Sequence, residues 1–153
     1  MILKDKSPGI QSAGGSWFVR DRLRLLLVLM EELAGNAHIS LEGDLSGLEI
    51  LRISGASSEE TLVLRRNTSW PRQGFIIVPL EPLMAQSIVE SIGRRALGRR
   101  IIHVQIEKAA VLEFGAYDNF HPECIFFGKA VRQEVLESLI SEGVLTSRPL
   151  LKG

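Results

Sequence analysis

Residues Ala109 to Val131 read AAVLEFGAYDNFHPECIFFGKAV, and the fold depends on how this stretch is parsed. Val111 to Tyr117 and Cys124 to Phe127 are apolar or aromatic with Gly at their edges, a composition that suits pleated, half-buried strands. Between them Asp118, Asn119, His121, Pro122 and Glu123 supply turn chemistry: Pro122 fixes φ, and the Asp118 and Asn119 side chains can bond nearby backbone. The expectation is two core strands joined at a polar tip.

Working outward, Ile101 to Glu107 alternates strictly, with Ile102, Val104 and Ile106 on one face and His103, Gln105 and Glu107 on the other. That pattern predicts a sheet with one apolar face and one face that is wet or functional. Before it, Leu83, Ile88, Val89, Ile92 and Leu97 keep helical spacing, with Pro82 suited to an early helical position and Gly98 to a stop. Arg94, Arg95, Arg99 and Arg100 crowd the end of that helix. After the hairpin, Val131, Val135, Leu136, Leu139 and Ile140 predict a last helix closed by Gly143.

From Ala37 to Leu80 the period is strand-like, with candidate strands at His38 to Glu42, Leu48 to Ile53, Thr61 to Arg65 and Phe75 to Val78. The connections between them favour antiparallel neighbours, and Pro79 and Pro82 close the block. Earlier still, Ser16 precedes Trp17, Phe18, Leu23, Leu26, Leu27, Met30 and Leu33. Their spacing predicts a first helix capped by Ser16 and ended at Gly35 and Asn36. Residues 1–15 are expected to be a flexible arm, with at most a short edge strand at Ile2 and Leu3, and 148–153 a frayed end. Residues 16–147 then form a single α+β domain, a mainly antiparallel sheet of about six or seven strands with three helices largely on one face.

Composition narrows the classes. The 153 residues are 45% hydrophobic and 24% charged, near globular averages. Eighteen basic residues balance eighteen acidic ones, so no global field draws the chain to nucleic acid or anionic lipid. The single cysteine, Cys124, excludes an intramolecular disulfide. The longest apolar run, Leu25 to Met30, is far below the roughly 18–20 residues that span a bilayer. The opening residues lack the features of a secretory signal, which points to the cytosol and makes the sequon at Asn67, Thr68 and Ser69 a chance match.

Three constellations could carry chemistry. Asp118, His121, Glu123 and Cys124 are all of types that ligate metals or move protons, and a Cys–His pair can act as nucleophile and base. That chemistry needs Cys124 to point the same way as His121, and the plainer alternative is an ordered turn with a buried thiol. A structural zinc site would want four ligands, and a second cysteine is absent. His103 and Glu107 share a face with Gln105, and Glu113 is expected across from them, as a proton relay or an ordinary solvated face. His38 has no partner recognisable in sequence. Arg65, Arg66 and Arg72 surround Trp70, a pairing found both at phosphate-binding surfaces and at protein hot spots; the plainer alternative is a Trp covering the sheet edge. The stretch from Glu107 to Glu142 is acidic by contrast, which suits a charged partner or self-contact.

Phosphate-loop, dinucleotide-binding, HExxH, EF-hand, GxSxG and paired CxxC motifs are all missing. The leading expectation is a non-catalytic cytosolic module that binds another protein. It would use Tyr117, Asp118, Phe120, His121 and Glu123 at the hairpin tip, with Trp70 and Arg72 on a second loop, and needs no metal or cofactor. A metal or cysteine enzyme centred on His121 and Cys124 is the alternative. Nucleic-acid binding through the arginine loops comes third, weakened by the zero net charge. No membrane association is expected. In layout alone, a helix before strands and a hairpin before a terminal helix, the chain resembles small bacterial proteins that neutralise toxins, without a diagnostic motif.

Overall fold

A computed structural model describes residues 15–149. The order is β1 (Gly15–Val19), α1 (Arg22–Leu33), β2 (Ala37–Gly43), a 3-10 turn (Glu49–Arg52), β3 (Gly74–Leu80), α2 (Ala85–Ile92) and α3 (Arg94–Arg99). Then come β4 (Ile101–Lys108), β5 (Val111–Ala116), a second 3-10 turn (Pro122–Cys124), β6 (Ile125–Phe127), α4 (Gln133–Ser141) and β7 (Leu145–Pro149). The architecture is α+β with every strand pairing antiparallel. The strands divide into a five-stranded sheet ordered β3-β2-β4-β5-β6 and a separate ribbon of β1 with β7.

One face of the large sheet carries the core. Ile39 lies opposite Ile106 and Val78, and Leu41 opposite Val104 and Ile76, so the register aligns apolar side chains across three strands. Phe114 and Phe127 continue the face, and Leu26, Leu29 and Met30 of α1 with Ile88 and Leu97 of α2 and α3 bury against it. Trp17 of β1 meets the Phe127 ring edge-on at 5.2 Å, which seats the ribbon on the same core.

The opposite face of the sheet is largely covered, with His38 left exposed at one end. The long connection between β2 and β3 folds over it, burying Leu64 against Phe75 and Ile77, with Val63 and Leu112 at the margin. Ser57 bridges Ile77 on the outer side of β3 through two backbone hydrogen bonds. Pro79 sits inside β3, which a strand at the sheet edge tolerates.

Several expectations are corrected. Trp17 and Phe18 lie in β1, and α1 starts at Arg22 because the Asp21 carboxylate, not Ser16, accepts the Arg24 N–H at 3.0 Å. Leu48 to Ile53 is a 3-10 turn: Leu48 and Leu51, like Ile50 and Ile53, stand three apart, and only Ile50 is fully buried. Thr61 to Arg65 is a loop, since the Thr61 hydroxyl accepts the N–H groups of Val63 and Leu64 and displaces a ladder. The helix expected over 83–97 is two, broken at Gly93 with φ 87°, and Gly98 lies within α3. Arg148 and Pro149 belong to β7, so the frayed end does not begin there, while Ile2 and Leu3 fall outside the described residues.

Phe127 joins ribbon and sheet, so Phe127→Ala is expected to lower unfolding free energy by about 3–5 kcal/mol in urea titration. Leu62→Ala, at an exposed loop position, should stay within about 0.5 kcal/mol of the parent.

Candidate functional site

The covered face of the sheet is polar at its centre. His38, Ser40 and Glu42 on β2 lie opposite Glu107, Gln105 and His103 on β4. Glu42 is only 1% exposed, and its carboxylate accepts the backbone N–H groups of Asn67 at 2.8 Å and Thr68 at 3.1 Å. A buried carboxylate is costly unless hydrogen bonds replace its hydration, and here the covering loop supplies them.

His103 continues the arrangement. Its Nδ1 accepts the Asp118 N–H at 3.2 Å, so the proton resides on Nε2, which donates to Thr68 Oγ1 at 2.7 Å. Gln105 donates to Ser40 Oγ and to the Arg65 carbonyl, both at 3.0 Å, and accepts the Tyr117 hydroxyl at 3.1 Å. Gly115 leaves room for that tyrosine, since a Cβ there would stand 2.7 Å from the ring. At the far end Glu107 meets His38 Nδ1 at 2.5 Å and accepts the Ala110 N–H at 2.8 Å. Among the described residues no buried side-chain polar atom lacks a partner.

Residues 65–68 are thus fastened to the sheet by Glu42, His103 and Gln105. The loop then turns outward: Trp70 is 84% exposed, its peptide bond to Pro71 is cis, and Arg72 is exposed beside it. Arg66 lies over the Phe75 ring at 5.2 Å and donates to the Gln73 carbonyl at 2.6 Å. Arg66 and Arg72 line a cleft of about 660 Å³ that also touches Ser46, Ser58 and Phe75.

The hairpin tip is built differently from the expected display. Tyr117 is 9% and Phe120 4% exposed, so two of the five tip residues face inward, while Asp118, His121 and Glu123 remain at the surface. Asp118, Asn119 and Phe120 all have φ between 56° and 60°, a left-handed turn that rotates Phe120 into the core. Arg22 covers the Phe120 ring at 4.9 Å and donates to the carbonyls of Asn119 at 3.0 Å and Gly98 at 3.3 Å.

His121 caps the second 3-10 turn, its Nδ1 accepting the Glu123 N–H at 3.1 Å. The Cys124 thiol is pushed up by burial, and the nearby Asp118 and Glu123 charges add to the shift. A thiolate is thereby disfavoured, opposite to what a nucleophilic pair needs. Among the described residues no group of three His, Cys, Asp or Glu side chains is placed to hold a metal. Glu113 does not cross to His103: a register shift between Ile106 and Glu107 turns it aside, and it accepts the Ala130 N–H at 2.9 Å.

Burial is what lowers the His103 pKa from its ordinary 6.5, the Glu42 and Asp118 charges opposing that shift. Burial also pushes the Tyr117 phenol up to about 12. His103 is the one imidazole that touches both candidate regions, the Trp70 loop through Thr68 and the hairpin tip through Asp118. Sequence reasoning missed Glu42, Thr68 and Ser40. A signal was present, because HISLE on β2 and HVQIE on β4 carry matching polar residues at alternate positions.

No protein-family model, curated protein or solved structure matches this chain.

Removing the carboxylate with Glu42→Ala is expected to cost about 2–4 kcal/mol, because two charge-assisted hydrogen bonds disappear. Glu42→Gln, which keeps one carbonyl acceptor, should cost less by the same urea titration. For His103 the folded pKa lies below the unfolded value of 6.5, so its contribution is fully present above pH 6.5. It is lost as pH falls from there through the folded value. Comparing stability against pH in the parent and His103→Gln should show a fall over that window that the variant lacks.

Proposed function

We propose that this chain is a non-catalytic module that binds another protein, with the Trp70 loop as its contact surface. One observation carries the reading: a large aromatic side chain stands almost fully exposed on a loop whose base is tied to a buried carboxylate. Exposed Trp is uncommon, and Trp and Arg are the residues on which protein interfaces concentrate binding energy. Ordering the loop in advance also lowers the entropic cost of association.

The cleft beside the loop suggests what the partner offers. Arg66 and Arg72 face it, and the one acidic residue of its lining, Asp44, is paired with Arg100, so a carboxylate on the partner next to an apolar socket for Trp70 would complete the contact. The hairpin tip contributes through Asp118, which shares the His103 hydrogen-bond network with the loop. Among the described residues no helix is long and apolar enough to cross a membrane. The single cysteine supports placing that role in the cytosol, where an immunity-type or regulatory protein would act by occupying a partner's surface.

The test is capture from the native host's lysate on immobilised parent and Trp70→Ala chains. A stoichiometric protein held by the parent should bind the variant roughly 30-fold more weakly, as loss of a hot-spot side chain implies. The melting temperature should not change. Equal retention by both chains would overturn the proposal.

A further inference from the structure

A second positively charged feature lies apart from the Trp70 loop. Arg94, Arg95, Arg99 and Arg100 line one cleft of about 540 Å³, and no Asp or Glu is among its lining residues. Its remaining wall is apolar, formed by Leu48, Ile92 and Ala96. A smaller cleft shares Arg94 and adds Arg20 and Arg22 together with Asp21. In a chain whose net charge is zero, this is a local concentration and not a reflection of composition.

The four guanidinium groups are not equivalent. Arg94 donates to Asp21 at 3.2 Å, and Arg100 pairs with Asp44 at 3.3 Å and donates to the Ser46 carbonyl. Those two are positioned by the fold. Arg95 and Arg99 have no acceptor among the described residues and are exposed. They stand four apart on α3, where like charges face one another and repel. An anion between them would turn that repulsion into attraction, and the guanidinium fork matches the paired oxygens of a phosphate or a carboxylate.

We propose that this cleft binds a small organic anion carrying at least two oxyanion groups beside an apolar portion, as phosphorylated metabolites and dicarboxylates do. The oxyanions would lie between Arg95 and Arg99, with Arg94 and Arg100 at the rim, and the apolar portion against Leu48 and Ile92. No aromatic side chain lines the cleft for a base to stack on, which favours a small ligand over a nucleic-acid strand. The inference is independent of the Trp70 contact.

The experiment is a titration of the full chain, followed by amide NMR at constant ionic strength. The probes are inorganic pyrophosphate, glutarate and a single-stranded oligonucleotide. Saturable one-site binding of pyrophosphate or glutarate, with shifts centred on Gly93 and Ala96, is expected, and the tighter probe identifies phosphate or carboxylate as the recognised group. Arg95→Gln/Arg99→Gln should weaken binding at least about ten-fold, as loss of charge-assisted bonds implies. Its melting temperature should hold, since both side chains are exposed, and Arg65→Gln should change nothing. The proposal is overturned if neither small anion saturates by about 10 mM. It also fails if the double variant binds as the parent does, or if the oligonucleotide binds more tightly than both small probes.

Discussion

The buried carboxylate of Glu42 is the constraint on which the covered side of this molecule depends. An ionised group nearly closed to solvent has to recover its lost hydration from fixed donors, and the two N–H groups of Asn67 and Thr68 are those donors. The requirement works in both directions. The loop keeps the charge satisfied, and the charge fixes the path of the loop. Without that tie, residues 65–68 would be left to the His103 and Gln105 bonds, while Leu64, the Ser57 bridge to β3 and the buried Ile50 hold the rest of the connection.

His103 extends the constraint across the sheet. Its two ring nitrogens serve different elements, one bonded to Thr68 on the covering loop and the other to Asp118 at the hairpin turn. Three consecutive non-glycine residues in the left-handed region are unfavourable, and the turn that holds them is secured by its surroundings. The Asn119 N–H donates to the Ile102 carbonyl at 2.9 Å, and Arg22 caps Phe120 from above. A segment that reads as a polar tip for display is thereby spent largely on holding strands, helix and loop together.

Much of this was legible in the sequence, and the failures share causes. The hairpin strands, the alternating β4 and the last helix follow from periodicity and turn residues, which are local signals. Leu48 to Ile53 and Thr61 to Arg65 have the composition of strands, but a three-residue repeat in the first and the Thr61 hydroxyl in the second claim them instead. Trp17 and Phe18 fit a helical face by spacing alone, and only the Asp21 cap places the boundary after them. The site was hardest to see. A polar face at His103, Gln105 and Glu107 reads as wet on a single strand, but His103 and Gln105 are met by a loop some 35–40 residues away in sequence, through Thr68 and the Arg65 carbonyl.

Hydrogen exchange at the Asn67 and Thr68 amides tests this account most directly. Both amides lie in a loop, outside any helix or strand, so local structure alone gives them no protection. If Glu42 holds them as described, they should exchange only with openings as costly as those that expose the amides of β2 and β4. Exchange at the rate of an unstructured loop would contradict the claim that a buried carboxylate organises this face.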